Sequence, residues 1–366
     1  MSKFAVLILL GWFALLTGCT TAPPPPPKNW SATNPSIPST NRVPIPPVAH
    51  PVPPVVRTNL SPVAVSPVPP AEGPSYEWTS LKHWAVERNI SPPRLMTKSP
   101  LVTYAVSSAK GVMVLAIGSR EVMWNGVTLQ LGFAPEIVDG EVLVYGLDLQ
   151  KNFAPFLCQP PPAFGPKRII VIDPGHGGMN AGTVSVNDGR PEKEFTLDWA
   201  LRMQPLLERK GWQVYLTRTN DVDIALSNRV AFAESHHADL FISLHFNSLA
   251  PDQKPTGLAT FCLTPTGLPS TLTRGYPDLL TQSFPNNNFD TQNVQLAELL
   301  QRSLLQTSGL EDRGVSRARF IGVLRGQHRP AALIEAGFLS NPDEATRIES
   351  SEFRQTLAEA VAAALK

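Results

Sequence analysis

The chain has 366 residues, with 31 Lys or Arg against 30 Asp or Glu, a formal charge of +1. That balance excludes the basic footprint of a nucleic-acid binder, so no nucleic-acid partner is expected, and it argues against a broadly basic binder of membrane surfaces or acidic polymers. Three cysteines, Cys19, Cys158 and Cys262, are too few for a disulfide framework or a thiolate zinc site. Any metal must therefore be held by His and carboxylates.

In chain order, residues 1–18 read as a leader. Lys3 supplies a short basic segment, and residues 4–16 form an apolar run too short for a hydrocarbon core of ~30 Å but suited to a secretory signal. Residues 19–75 read as a linker, since eighteen of the 38 prolines fall between Pro23 and Pro74. Repeated Pro removes backbone donors and fixes φ, which favours a solvated, semi-rigid polyproline II spacer. Residues 76–160 read as a small α+β domain. A helical start at residues 79–86 precedes strand-like runs at 101–106, 112–117 and 127–131. Asn125-Gly126 and Asp139-Gly140 supply two-residue hairpin turns, because a type I′ turn needs positive φ at both central positions. No catalytic constellation is visible in this segment.

Residues 166–366 alternate strand and helix. Ile169-Ile170-Val171-Ile172 is an all-apolar run of buried-strand type. Helices are expected at 193–210, ended by Gly211, at 226–235, at 293–307, ended by Gly309, and at 353–365. Strands are expected at 212–217, 240–246, 258–263, 320–324 and 331–335. The class is α/β: a mostly parallel or mixed sheet flanked by helices on both faces, preceded by the small α+β domain. Residues 264–292 form a Pro-, Thr- and Asn-rich insertion, either an active-site lid or substrate-groove wall or a floppy surface loop.

Open α/β sheets gather their active residues where strands end. Asp173-Pro174-Gly175-His176-Gly177-Gly178 follows the first strand, Glu192 opens the first helix, and His245 and Glu335 end two apolar strands. The Gly-rich turn lacks the Lys-Ser/Thr of a phosphate-binding loop, and alone it could be a tight turn with an incidental His. A carboxylate at the end of Ala331-Ala332-Leu333-Ile334 is harder to place without a partner. Two imidazoles and one carboxylate are the donor set of a catalytic zinc site, with a second carboxylate left to act as base. His236-His237 sit at a helix end, where a cation is favoured by the dipole. His328 lies in a loop before the Glu335 strand.

Three resemblances add to this reading. Leu16-Thr17-Gly18-Cys19 resembles the lipobox of bacterial lipoproteins, which implies lipidation of Cys19 and a membrane anchor. Thr20 after that Cys implies an outer membrane where one exists, and a location in the cell envelope facing the periplasm. The pattern of residues 76–160 resembles the small stalk domain of copper amine oxidases. From Ile169 onward the chain resembles the zinc-dependent N-acetylmuramoyl-L-alanine amidases of type 3, through Ile172-Asp173-Pro174-Gly175-His176-Gly177-Gly178, Glu192-Lys193, Leu216-Thr217-Arg218 with Arg229, Ser243-Leu244-His245-Phe246-Asn247 and Leu333-Ile334-Glu335-Ala336-Gly337-Phe338. The resemblance implies Zn²⁺ held by His176, Glu192 and His245, Glu335 as catalytic base, and Asn247 as a substrate contact. The implied substrate is peptidoglycan, cut between N-acetylmuramic acid and L-alanine. A non-catalytic peptidoglycan-binding tether and a zinc peptidase acting on another wall amide are the alternatives. An activator protein is compatible with the resemblance and has no readable motif. Two departures stand out: Met179-Asn180-Ala181-Gly182 replaces the family's Asp-Pro-Gly-like turn, and the 264–292 insertion lacks the helix signal of relatives with an autoinhibitory helix.

Overall fold

The computed structural model describes residues 77–164, 167–273 and 275–365. Cys19, the leader and most of the Pro-rich linker lie outside the described residues. The first part comprises β1 (Trp78–Ser80), α1 (Leu81–Glu87), β2 (Arg94–Thr97), β3 (Thr103–Ser108), β4 (Gly111–Ala116), β5 (Glu121–Trp124), β6 (Val127–Gln130), β7 (Glu136–Val138) and β8 (Glu141–Tyr145). A helical stretch follows: α2 (Gly146–Asp148), one π turn, and α3 (Ala154–Leu157). Both expected hairpins form, with positive φ at Asn125, Gly126, Asp139 and Gly140.

The second part runs β9 (Ile169–Pro174), α4 (Glu192–Glu208), β10 (Gln213–Leu216), α5 (Leu226–Ser235), β11 (Leu240–Asn247), β12 (Leu258–Cys262), α6 (Asp290–Ser308), β13 (Asp312–Arg317), α7 (Gly322–Arg325), β14 (Ala331–Phe338), α8 (Pro342–Glu349) and α9 (Ser351–Ala364). The main sheet has the order β10-β9-β11-β14-β12-β13-β6-β5-β4-β3-β2. It is parallel from β10 to β14, antiparallel where β12 meets β14, and antiparallel again from β6 to β2. The fold is thus α/β with a mixed sheet, as expected. β6 runs parallel beside β13, so the N-terminal strands extend the same sheet. Trp124, Leu129 and Phe156 share one buried cluster with Trp199, Val294 and Leu300.

All six residues of β9 are buried, which is the reason its sequence shows no polar alternation. Ile170 and Ile172 pack with α4, α6 and α9 on one face. Ile169 and Val171 join Phe241, Ala233 and Leu324 on the other, under α5 and α7. The Phe195, Trp199, Met203 and Leu207 stripe of α4 follows helical spacing onto the first face. Gly309 closes α6 in the left-handed conformation.

Two expectations are corrected. Residues 320–324 form a turn and α7 rather than a strand, because Val323 and Leu324 reach the second core from a single helical turn. The polar strand β13 was not expected at all. Cys158 and Cys262 are free thiols, one exposed and one buried. Among the described residues no helix is long and apolar enough to cross a membrane.

One buried acid in α6 is expected to make stability pH-dependent. Glu298 accepts one bond from Arg302 at 3.1 Å, while its other oxygen is buried with no partner among the described residues. Burial pushes its carboxyl up to about 7 from 4.5, against the pull of Arg302. A raised folded value favours the protonated fold, so this stability is full below the unfolded value and lost as pH rises through about 7. Glu298→Gln should stabilise the protein by on the order of 2 kcal/mol at about pH 8, and much less at about pH 4, in denaturant titrations.

Candidate metal centre and active site

The Asp173 carboxylate organises the end of β9. It is 1% exposed and accepts hydrogen bonds from Thr217 Oγ1 and Arg229 Nη1, both at 2.6 Å, and from Ser243 Oγ at 2.7 Å. Arg229 also donates to the carbonyls of Pro174 and His176, at 2.8 and 2.7 Å. Arg218 donates to the carbonyls of Pro174, Gly175 and Lys193. Two buried guanidiniums therefore pull the turn carrying His176 inward, and His176 itself is held at φ +62°. A non-glycine residue rarely adopts that conformation unless its surroundings over-determine it. Arg229→Ala would leave Asp173 buried with hydroxyl partners only. Breaking such a pair costs ~3–5 kcal/mol, and urea denaturation should read a loss in that range.

Glu192 opens α4, where the helix dipole favours an acid. Its carboxylate is the hub. Oε2 accepts from the Thr183 amide at 3.1 Å and lies 3.0 Å from His176 Nε2. Oε1 accepts from the Phe246 amide at 3.0 Å and lies 2.9 Å from His245 Nδ1. Burial works to raise Glu192, but the two histidines outweigh it and hold the carboxyl well below its ordinary range. Burial likewise works to lower His176, and its bonds to Glu192 and Asn180 raise it instead.

His245 on β11 and Glu335 on β14 are register partners in adjacent parallel strands. The side-by-side ends of two strands thus bring an imidazole and a second carboxylate to one place. Glu335 is half-buried, and its Oε2 is buried with no hydrogen-bond partner among the described residues. Burial, reinforced by the Glu192 carboxylate, holds its carboxyl well above the ordinary range.

The donor set fits a catalytic zinc ion. One ligand atom each from His176, Glu192 and His245 lie within 4.8 Å of one another. Two imidazoles and a carboxylate are the three protein ligands such an ion takes. The surrounding backbone leaves no room for side chains. A Cβ on Gly175 would lie 2.3 Å from the His245 ring, and one on Gly182, at φ +71°, would lie 2.5 Å from Glu192 Oε2.

The structure brings His176, Glu192, His245, Glu335 and Asn247 to one cavity of about 510 Å³. His328 is exposed and is not among the residues lining that cavity. His236 stacks on Tyr215 and Phe232 at the end of α5. Sequence reasoning missed Asn180, whose Oδ1 lies 2.9 Å from His176 Nδ1 and so selects which imidazole nitrogen faces Glu192. The signal was local, since Asn180 lies four residues after His176, just past the Gly177-Gly178 turn. The clamp roles of Arg218 and Arg229 were also missed; an Asp ending an all-apolar strand calls for such a cation.

The chain is similar to several known proteins. The chain is 33% identical to N-acetylmuramoyl-L-alanine amidase AmiC of Escherichia coli O6:H1 over 243 residues, covering 60% of this chain and 58% of that one. It is 30% identical to amidase AmiA of Escherichia coli K12 over 219 residues, covering 54% and 75%. The crystal structure of N-acetylmuramoyl-L-alanine amidase from Clostridium difficile 630 matches at 30% identity and a TM-score of 0.46, covering 55% of this chain and 96% of that one. The chain spans less than two thirds of the AmiC relative's length. The family model described as N-acetylmuramoyl-L-alanine amidase matches residues 170–366, more than half of the chain, a span that includes His176, Glu192, His245 and Glu335. By that match, this chain belongs to the N-acetylmuramoyl-L-alanine amidase family.

Proposed function

We propose that the protein hydrolyses the amide between the lactyl group of N-acetylmuramic acid and the L-alanine of the peptidoglycan stem peptide, with zinc as cofactor. The observation that carries the reading is the unpartnered, buried Glu335 Oε2 beside the His176, Glu192 and His245 trio in one cavity. Zinc, when held by those three residues, supplies Lewis-acid polarisation of the carbonyl and a more acidic water.

The chain's own residues do the rest. Arg218 and Arg229 fix the turn that carries His176. Asn180 orients that ring, and the Phe246 and Thr183 amides hold Glu192 from both sides. Glu335 takes the proton from the attacking water and passes it to the leaving amine of L-alanine. Its buried Oε2, without a hydrogen-bond partner among the described residues, leaves an acceptor for that proton. In this proposal Cys19 carries the lipid anchor and the enzyme works in the envelope, facing the periplasm.

The test is digestion of purified muropeptides by the full chain, with product mass analysis. Release of intact stem peptides with a free L-alanine amine is expected. Cuts within the peptide would instead indicate a zinc peptidase, and no products a non-catalytic tether.

A further inference from the structure

The described residues of 264–284 contain neither helix nor strand, yet residues 264–271 are held by many hydrogen bonds. Buried Arg319 donates to the carbonyls of Pro265, Leu268 and Gln282, at 2.8–2.9 Å. The Ser270 amide donates to Asp278 at 2.6 Å. Thr271 is locked to Arg317 at the end of β13 by three bonds. Its amide and hydroxyl both donate to the Arg317 carbonyl, at 2.8 and 3.0 Å, and its hydroxyl accepts from the Arg317 amide at 2.8 Å.

The residues that follow this lock, Leu272 and Thr273, line the same cavity as His176, Glu192, His245 and Glu335. Leu272 is 49% exposed, and Leu226 and Ile321 supply further apolar lining. The lock is itself held from the N-terminal part of the chain. Arg317 Nη2 donates to the Lys151 carbonyl and to Asn152 Oδ1, at 3.0 and 2.6 Å. Leu268, 1% exposed, packs into a small core of Phe133, Tyr145 and Leu147.

We infer that residues 264–273 of the insertion are a fixed wall of the substrate groove, that Leu272 is a specificity-determining residue on it, and that the N-terminal part holds this wall in place. The inference rests on the amidase reading above and deepens it. Both groups flanking the scissile amide, lactyl and L-alanyl, carry a methyl. An exposed leucine on a braced loop, with leucine and isoleucine also lining the cavity, presents apolar surface to such methyls. The contact exists before and during the reaction alike, so its loss raises KM and leaves kcat in place.

Steady-state kinetics on soluble muropeptides with the full chain test this. Leu272 is half-exposed, so Leu272→Asp leaves the core untouched. It is expected to raise KM by ~10-fold or more with kcat within about twofold of wild type, as expected for uniform binding, while Leu272→Met restores KM. Phe133→Leu, beneath Leu268 and remote from the chemistry, is expected to raise KM in the same sense with kcat kept. An active wild type whose KM is unmoved by Leu272→Asp overturns the wall. KM unmoved by Phe133→Leu, with Leu272→Asp effective, overturns the bracing role. A wild type that releases no stem peptides overturns the amidase reading and this inference with it.

Discussion

Glu335→Gln should separate metal binding from chemistry. Gln has nearly the same volume and still hydrogen-bonds, but it cannot accept a proton from the attacking water. Turnover on muropeptides is expected to fall by ~10²–10⁴-fold, the range of a general base, with one zinc per chain retained. The geometry makes the case for base over ligand. Glu335 lies outside the three-residue cluster that could hold a metal, and its Oε2, unpartnered among the described residues, contrasts with Glu192, both of whose oxygens are already engaged. If zinc left together with activity, Glu335 would be a ligand and Glu192 the candidate base. Near-normal turnover would remove Glu335 from the mechanism.

His245→Ala should remove zinc and activity together, and His176→Ala likewise. Each substitution deletes one of three donors and one of the two imidazoles that hold Glu192 ionised despite its burial. The remaining pair of donors is too few for a catalytic zinc site, so elemental analysis should find far less than one zinc per chain. Asn180→Ala is the graded comparison. It keeps all three donors and loses only the orienting bond to His176 Nδ1, so zinc affinity should weaken by ~10–100-fold without vanishing. Full zinc in either histidine variant would show that the ligands are misassigned.

The parts of the molecule legible in the sequence are those where one local signal decides the outcome. β9, β11 and β14 are buried on both faces and read as apolar runs. α4 and α6 show helical stripes, and Gly309 marks a real left-handed stop. His176, Glu192, His245 and Glu335 were visible because each sits at the end of such an element. β13 was invisible because its residues, Asp312 to Arg317, are placed by polar bonds rather than by an apolar face. Asp312 accepts from Gln301 Nε2 and the Gly314 amide at 2.8 Å, and Arg317 reaches Asn152. Residues 320–324 read as strand in the sequence because a short apolar run has no periodicity to separate strand from helix. The tethering of residues 265–271 is likewise unreadable. Its anchors, Arg317 and Arg319, lie some 50 residues downstream of the carbonyls and hydroxyl they grip, and no local pattern encodes that distance.

The most direct test of the account is zinc-edge anomalous diffraction from crystals of the zinc-loaded Glu335→Gln protein. The account predicts a single peak at ~2.0–2.2 Å from one nitrogen each of His176 and His245 and one oxygen of Glu192, with the residue-335 side chain uncoordinated beside it. No peak among these three residues, or a peak ligated by residue 335, would contradict it.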